Sequence, residues 1–500
     1  MYHRMVLISL AALTSPLSAQ MAPPLARAAA SITPRDVAQR IGIIADDSMM
    51  GRDTPSRGLE QTAQYVAAQF RQFGLRPGGD DGGWLQRYAI TRRRLDLKRS
   101  RIVFTAGPQR DTAALTSAAK YEGGAMPAQA VEGTALLVGG AQTAETAKRI
   151  DVHDKVVIYA APERLESEQI QEVLRTLFRA GPRALIVVSD RDSADFAATL
   201  PTSASVRTVV GSPSGPVAVQ VREGAVRTAL RAAQADLASV RRSGEPIAHA
   251  LPALVVSIEL KDSITSATSA PNTVGILEGS DPTLKHEYLV YSAHMDHIGI
   301  TPGQPDSINN GADDDGSGTV GVIELAEAFS RAGARPKRSI IFLTVSGEEK
   351  GLWGSKYFSE HPAVPIKQIV ADLNIDMIGR NWPDTIVAIG KEHSDLGATL
   401  NQVNAAHREL GMTAIDDRWP EEQFYFRSDH YNFARKGVPI LFFFNGVHPD
   451  YHEVTDSPDK INSEKEARIL RLLFYLGQEI ANAPERPKWR PESYKEIVEP

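Results

Sequence analysis

Five short stretches gather the residues that could do chemistry. They are "SAHMDHIG" at 292–299, "NNGADDDGSG" at 309–318, "SGEEKGLWGS" at 346–355, "LNIDMIGR" at 373–380 and "DYHEVTD" at 450–456. Taken singly, each has an ordinary explanation. Aspartates before a helix favour its N-terminus. Adjacent glutamates are commonly a solvated pair, and a histidine after a strand is commonly a hydrogen-bonded loop residue. Taken together they are not ordinary, because carboxylates crowded at one place repel unless a cation lies among them. The chain has no cysteine, which removes disulfides, thiolate metal sites and cysteine nucleophiles. A metal here is held by His, Asp and Glu, a donor set that suits zinc, manganese and similar ions.

These residues need a scaffold that brings them to one edge. Strand-like apolar runs alternate with helical ones over the second half of the chain: "EYLVYSA", "GTVGVIELAEAFSRAG", "RSIIFLTVS", "IVADLNIDM", "TIVAIG" and "VPILFFFNG". That alternation predicts an α/β fold with a mostly parallel mixed sheet flanked by helices. In such sheets ligands bind beyond the carboxyl ends of the strands. The first run ends at His294 and Asp296, the next strand at Glu348 and Glu349, the third at Asp376, and the last leads to His448, Asp450 and His452. Asp313, Asp314 and Asp315 stand just before a helix. Upstream, Thr33 and Pro34 form an N-cap and first-turn pair for a helix over "ITPRDVAQRIGIIAD". A second helix places Ala63, Val66, Ala67 and Phe70 on one face and stops at Gly74.

The five motifs, in this order and spacing, resemble the M28 family of zinc peptidases, whose members hold two zinc ions on an α/β sheet of the zinc exopeptidase fold. The resemblance implies roles position by position. His294, Asp314 and Asp376 would hold one zinc; Asp314, Glu349 and His452 would hold the other, with Asp314 between them. Each metal then keeps room for water, as catalytic zinc requires. Asp296 would orient His294 by accepting its other N–H, Glu348 would be the general base, and Tyr451 would donate to the oxyanion. His297 is not needed by this pattern and is expected to be structural, while Asp313 and Asp315 serve the loop and helix start.

Around this core the expected organisation is a signal peptide at 1–19, the first part of the peptidase domain at 32–118, an insert at 119–252, the metal-bearing part at 253–485 and a tail at 486–500. The insert has short β-like runs and one helix, an α+β texture, and "LFRAGPRALIVVSD" within it resembles the protease-associated (PA) domain. "SATSAPNT" at 266–273 reads as a Ser/Ala/Pro linker. The proline- and charge-rich end reads as an extended strap or loose end. The start, "MYHRMVLISLAALTSPLSAQ", carries an apolar run too short to span a bilayer and small residues before a plausible cut after Ala19. Export to the periplasm or medium is expected, with no stable membrane insertion. A net charge of −6 without a basic patch argues against nucleic acid as a partner. The expected partner is a peptide substrate. The expected activity is an exopeptidase removing N-terminal residues. A carboxypeptidase of the glutamate carboxypeptidase type on the same site is the nearest alternative, and a receptor-like, non-catalytic binding protein is the alternative of another class.

Overall fold

The computed structural model describes residues 23–499 except 128, 162–166, 202, 205, 211–214, 304 and 332. The expected signal peptide lies outside the described residues. The chain divides into two compact units, one built from residues up to Arg87 together with those from Ala270 onward, the other from Tyr88–Ser269.

The sheet of the first unit uses strands β1 (Asp262–Leu277, entering this unit at Ala270), β2 (Tyr288–His294), β3 (Ser339–Val345), β4 (Ile369–Ile375), β5 (Thr385–Ile389), β6 (Thr413–Ile415) and β7 (Ile440–Phe443). Their order is β6-β5-β7-β4-β2-β3-β1. The central four, β3, β2, β4 and β7, are mutually parallel. β1 joins β3 and β5 joins β7 antiparallel. The mixed, mostly parallel sheet is therefore as expected, with four carboxyl ends on one edge.

The strands read as unbroken apolar runs because both faces are covered. Leu289, Tyr291 and Ala293 of β2 and Ile340 and Phe342 of β3 enter one core. Val290, Ile341, Leu343 and Val345 enter the other. The first core is roofed by the helices Pro34–Ile44, Arg57–Gln72, Gly318–Ser330, Leu396–Ala406 and Ser463–Asn482, and the second by Trp353–Glu360 and His430–Ala434. The first of these starts as the sequence predicts: Pro34 opens it and the Thr33 hydroxyl accepts the Asp36 N–H at 3.1 Å. The second buries Ala63, Val66, Ala67 and Phe70 and ends before Gly74 at φ +76°. The long helix Ser463–Asn482 comes close enough that a Cβ on Gly477 would lie 1.9 Å from the Tyr291 hydroxyl oxygen. Only glycine permits that approach, which lets Tyr291 donate to the Leu473 carbonyl at 2.7 Å.

Two stretches depart from expectation. The Ser/Ala/Pro segment does carry the passage between the two units, at Ser269–Ala270, but as part of β1 and not as irregular chain, pairing with β3 from Thr273. Asn272 anchors it: its amide donates to Gln86 Oε1 and the Gly354 carbonyl, and its oxygen accepts the Ser346 N–H. Ser and Thr look like linker residues by composition, yet threonine suits a pleated strand. The tail is not a loose end. Pro491 opens a helix, Pro491–Ile497, that buries Ile497, and the Trp489 indole N–H donates to the Gly437 carbonyl at 3.0 Å.

The second unit carries its own mixed sheet and apolar core. It is wider than the insert expected at 119–252, because the strand Arg101–Ala106 pairs with Gln109–Ala114 on one side and Pro246–Glu259 on the other. Those pairings draw residues outside 119–252 into this unit.

Candidate active site

The carboxyl ends of β2, β3, β4 and β7 deliver the chemistry. β2 ends on His294 itself, and the chain turns at once through Asp296 and His297. The segment Ala312–Ser317, before the helix Gly318–Ser330, presents Asp314. Glu348 and Glu349 follow β3, Asp376 follows β4, and the segment after β7 carries Tyr451 and His452. His452 has φ +59°, a left-handed backbone that costs a non-glycine residue roughly 1–2 kcal/mol. The surrounding fold holds that strain, and it turns the imidazole toward Asp314 and Glu349.

Two groups form around Asp314, one on each of its oxygens. His294 Nε2 stands 3.4 Å from Asp314 Oδ1 and 3.6 Å from Asp376 Oδ1. His452 Nε2 stands 3.2 Å from Asp314 Oδ2 and 3.2 Å from Glu349 Oε2. All five residues expected to hold metal thus converge in the expected partition. The details favour a cation over direct hydrogen bonds. His452 Nε2, Asp314 Oδ2, Glu349 Oε1 and Asp376 Oδ1 are buried and have no hydrogen-bond partner among the described residues. The nitrogen of His452 is near two carboxylates yet aligned on neither. Buried polar atoms rarely go unpaired, and a divalent ion such as zinc in each group, bound by His, Asp and Glu, would satisfy them.

Electrostatics point the same way. Burial opposes ionisation of Asp314, but His297, His294 and His452 together hold its carboxyl well below the usual range. Burial disfavours a charged His452, but Asp314 and Glu349 outweigh it and raise the imidazole to about 10. A field that strong for a proton is equally a field for a metal, which displaces the proton when it binds. The Glu348 carboxyl is pushed well up, first by burial and then by Asp429, Asp376 and Glu349, with His294 opposing.

A ring of backbone contacts fixes these groups. Asp315 ties three segments together, accepting the N–H groups of His294 (3.1 Å), Gly318 (2.7 Å) and Met377 (3.3 Å). Asp313 accepts the Gly379 N–H at 2.6 Å and faces His448 Nε2 at 3.2 Å. Asp456 accepts the N–H groups of Asp313 and Asp314. Ser428 donates to Asp376 Oδ2 at 3.1 Å, leaving Oδ1 toward His294. Asp296 differs from expectation. Its carboxylate is 3.7 Å from His294 Nδ1, which lies closer, at 3.2 Å, to the Asp296 backbone carbonyl. The carboxylate instead accepts the Thr54 hydroxyl at 3.0 Å and the Glu348 N–H at 3.2 Å. Asp296 therefore positions Glu348 by its side chain and His294 by its main chain.

A cleft opens over the two groups. It is lined by His294, Asp314, Glu348, Glu349 and Asp376 on its floor and by Met377, Phe424, Phe442, Phe444, Val447 and Tyr451 beside them. Tyr451 stacks on His452 with ring centres 3.9 Å apart. Of the two arginines near the motifs, Arg380 is paired with Asp450 at 2.8 Å. Arg427 reaches the cleft but lies 4.6 Å over Phe424 and 3.3 Å from Glu422.

Three residues were not singled out for the site from sequence, or were set aside. His297, expected to be structural, is fully buried with Nδ1 3.0 Å from Glu349 Oε1 and 3.5 Å from Asp314 Oδ2. Arg52 is also fully buried and donates to the carbonyls of Met295, Ile44, Asn310, Gly311 and Asp314. Thr54 bridges the Gly347 N–H and Asp296. A second histidine in "HMDH" was the available signal for His297; "GRDT" gave none for Arg52 or Thr54.

Residues 272–477 match the family model of Peptidase family M28. The leupeptin-inactivating enzyme 1 of Streptomyces exfoliatus is 32% identical over 199 residues, 39% of this chain and 40% of that protein. A probable leucine aminopeptidase of Arthroderma otae is 29% identical over 211 residues, 40% of this chain and 56% of that protein. The chain thus spans about half the length, or less, of these relatives. An aminopeptidase structure from Aneurinibacillus sp. strain AM-1 aligns over 92% of this chain and 97% of its own at 17% identity and a TM-score of 0.48.

Proposed function

We propose, on the footing that residues 272–477 match Peptidase family M28, that the chain is an exported, two-zinc aminopeptidase that removes apolar residues from peptide N-termini. The observation that carries this is the pair of ligand groups sharing Asp314, with their ligand atoms unpaired and an apolar cleft above them.

His294, Asp314 and Asp376 would hold one zinc, and Asp314, Glu349 and His452 the other. Bound there, the metals would polarise the scissile carbonyl and bring the pKa of an attacking water toward neutrality. Glu348 takes the proton from that water as it attacks, then returns it to the leaving amine. Asp296 and Thr54 hold the Glu348 backbone in place. The Tyr451 hydroxyl donates a hydrogen bond to the developing oxyanion and keeps its proton.

The polarity of the cleft favours an N-terminus over a C-terminus. A free ammonium would meet Glu348 and Asp376, whereas an α-carboxylate needs an available arginine fork. Arg380 is paired with Asp450 through Nη2 and does not line the cleft, and Arg427 is shared with Glu422 and Phe424. Met377, Phe424, Phe442, Phe444 and Val447 would receive an apolar first side chain. We read the second unit as the protease-associated insert, acting on substrate access and not on the chemistry. The test is one peptide with leucine at its N-terminus in three forms. Acetylating the N-terminus should abolish cleavage, and amidating the C-terminus should not. Trimming of the acetylated form from its C-terminus would replace this proposal with the carboxypeptidase.

A further inference from the structure

We propose that His297 is a third imidazole ligand, giving the second metal four protein donors where the first has three. The inference rests on the two-metal reading above and adds a donor to it. His297 is fully buried. Its Nδ1 lies 3.0 Å from Glu349 Oε1 and 3.5 Å from Asp314 Oδ2, and these three side chains can offer ligand atoms to one ion. Nδ1 nevertheless makes no hydrogen bond to either oxygen, and Glu349 Oε1 and Asp314 Oδ2 have no hydrogen-bond partner either. His452 Nε2 has the same signature, two carboxylate oxygens within 3.2 Å and alignment on neither. A nitrogen that points between two carboxylates and at neither is placed as a ligand to something they share. A merely structural imidazole would do the opposite, donating along its N–H to one oxygen.

The surroundings hold the ring to this task. The His297 backbone N–H donates to the Arg52 carbonyl at 3.4 Å, fixing the main chain beneath the ring, whose Nε2 is buried with no hydrogen-bond partner among the described residues. Gly311 packs so tightly on the ring that a Cβ there would come within 2.6 Å of His297 Cγ. Gly311 also sits at φ +57°, so glycine is required twice over. Ligation through Nδ1 leaves the proton on Nε2. The second site would then be Asp314, Glu349, His452 and His297, closed by protein in the manner of a structural zinc, while the first keeps an open position.

The test uses the full chain stripped of metal and reloaded with two equivalents of Co2+. Exchangeable imidazole N–H protons shifted by the metal are counted by NMR in H2O and D2O. Three such protons are expected, from His294, His452 and His297, and two in His297→Ala at saturating Co2+. His448→Ala should still give three. Metal titration of His297→Ala should show the second site weakened by more than the roughly 10–100-fold that loss of an outer hydrogen-bond partner costs, with the first site unchanged. X-ray absorption on the unaltered zinc protein does not depend on any variant folding, and it should count three imidazoles over two zinc ions. Two imidazoles over two bound metals, or three that persist in His297→Ala, would overturn the assignment of His297 while leaving the two-metal centre intact. Uptake of a single metal at saturation would overturn both.

Discussion

Glu348 is held by its backbone as much as by its surroundings. Asp296 accepts its N–H, Thr54 braces Asp296, and Thr54 also accepts the N–H of Gly347. Thr54→Val keeps the shape and removes both hydrogen bonds. A displacement on the order of 1 Å at a reacting group costs about 10²-fold, so kcat should fall by about that factor with metal content unchanged. An unchanged kcat in a fully metallated variant would show that the brace is irrelevant. Arg52 braces the neighbouring backbone. Its guanidinium serves five backbone carbonyls around the Asp314 segment, and each unpaired buried acceptor costs about 1–3 kcal/mol. Arg52→Met should destabilise the metal-free protein by at least about 3 kcal/mol in urea unfolding. The residues that gather around Asp314 were legible because an imidazole or a carboxylate at a strand end is chemically out of place. Arg52 and Thr54 were not, because each is more than 240 residues from its partner at Met295 or Asp296. Only the folded chain shows which carbonyls and N–H groups need satisfying.

The helix Gly318–Ser330 begins at the Asp314 segment and is buried along most of its length. Its Glu324 is paired with Arg40 of the helix Pro34–Ile44. Burial wins over that pairing and lifts Glu324 from the ordinary 4.5 to about 7. The folded chain therefore holds this proton more tightly than the unfolded one. The associated stability is full below about pH 4.5 and is lost as pH rises through about 7, a change on the order of 3 kcal/mol. Glu324→Gln does not titrate. Relative to the parent it should gain about 3 kcal/mol in unfolding free energy between pH 4.5 and 8. A difference independent of pH would contradict the shift. At this scale strands and helices with clear periodicity were legible, from the Thr33 cap to the four parallel strands. The strand conformation of β1 was hidden because Ser and Thr serve loops and strands alike, although the passage between the units does fall within it. The terminal helix was obscured by the prolines around it, one of which in fact opens it.

At the scale of the whole molecule, the groups of three able to hold a metal among the described residues, His294–Asp314–Asp376 and His297–Asp314–Glu349, lie in the unit that contains the M28 match. The unit Tyr88–Ser269 has a separate core and a cleft lined by Glu223, Arg227, Arg231 and Asp236. Arg231→Ala there should leave metal content full, and any effect should fall on KM or on preference for peptide length. Loss of metal in that variant would show that the second unit shares in the site. The bounds of that unit were only partly legible, because the strand Pro246–Glu259 and its partner Arg101–Ala106 carry no compositional mark of the unit they join. No described helix is long and apolar enough to cross a membrane. The central claim is a two-metal hydrolytic centre served by Glu348, and a stepwise titration of the metal-free protein with zinc tests it most directly. Metal uptake should saturate at two per chain, and hydrolysis of a leucyl peptide should appear only as the second site fills. Glu348→Gln should bind the same two and fall by about 10²–10⁴-fold in kcat. Full activity in the metal-free chain, full activity with one zinc, or an active and fully metallated Glu348→Gln would each contradict it.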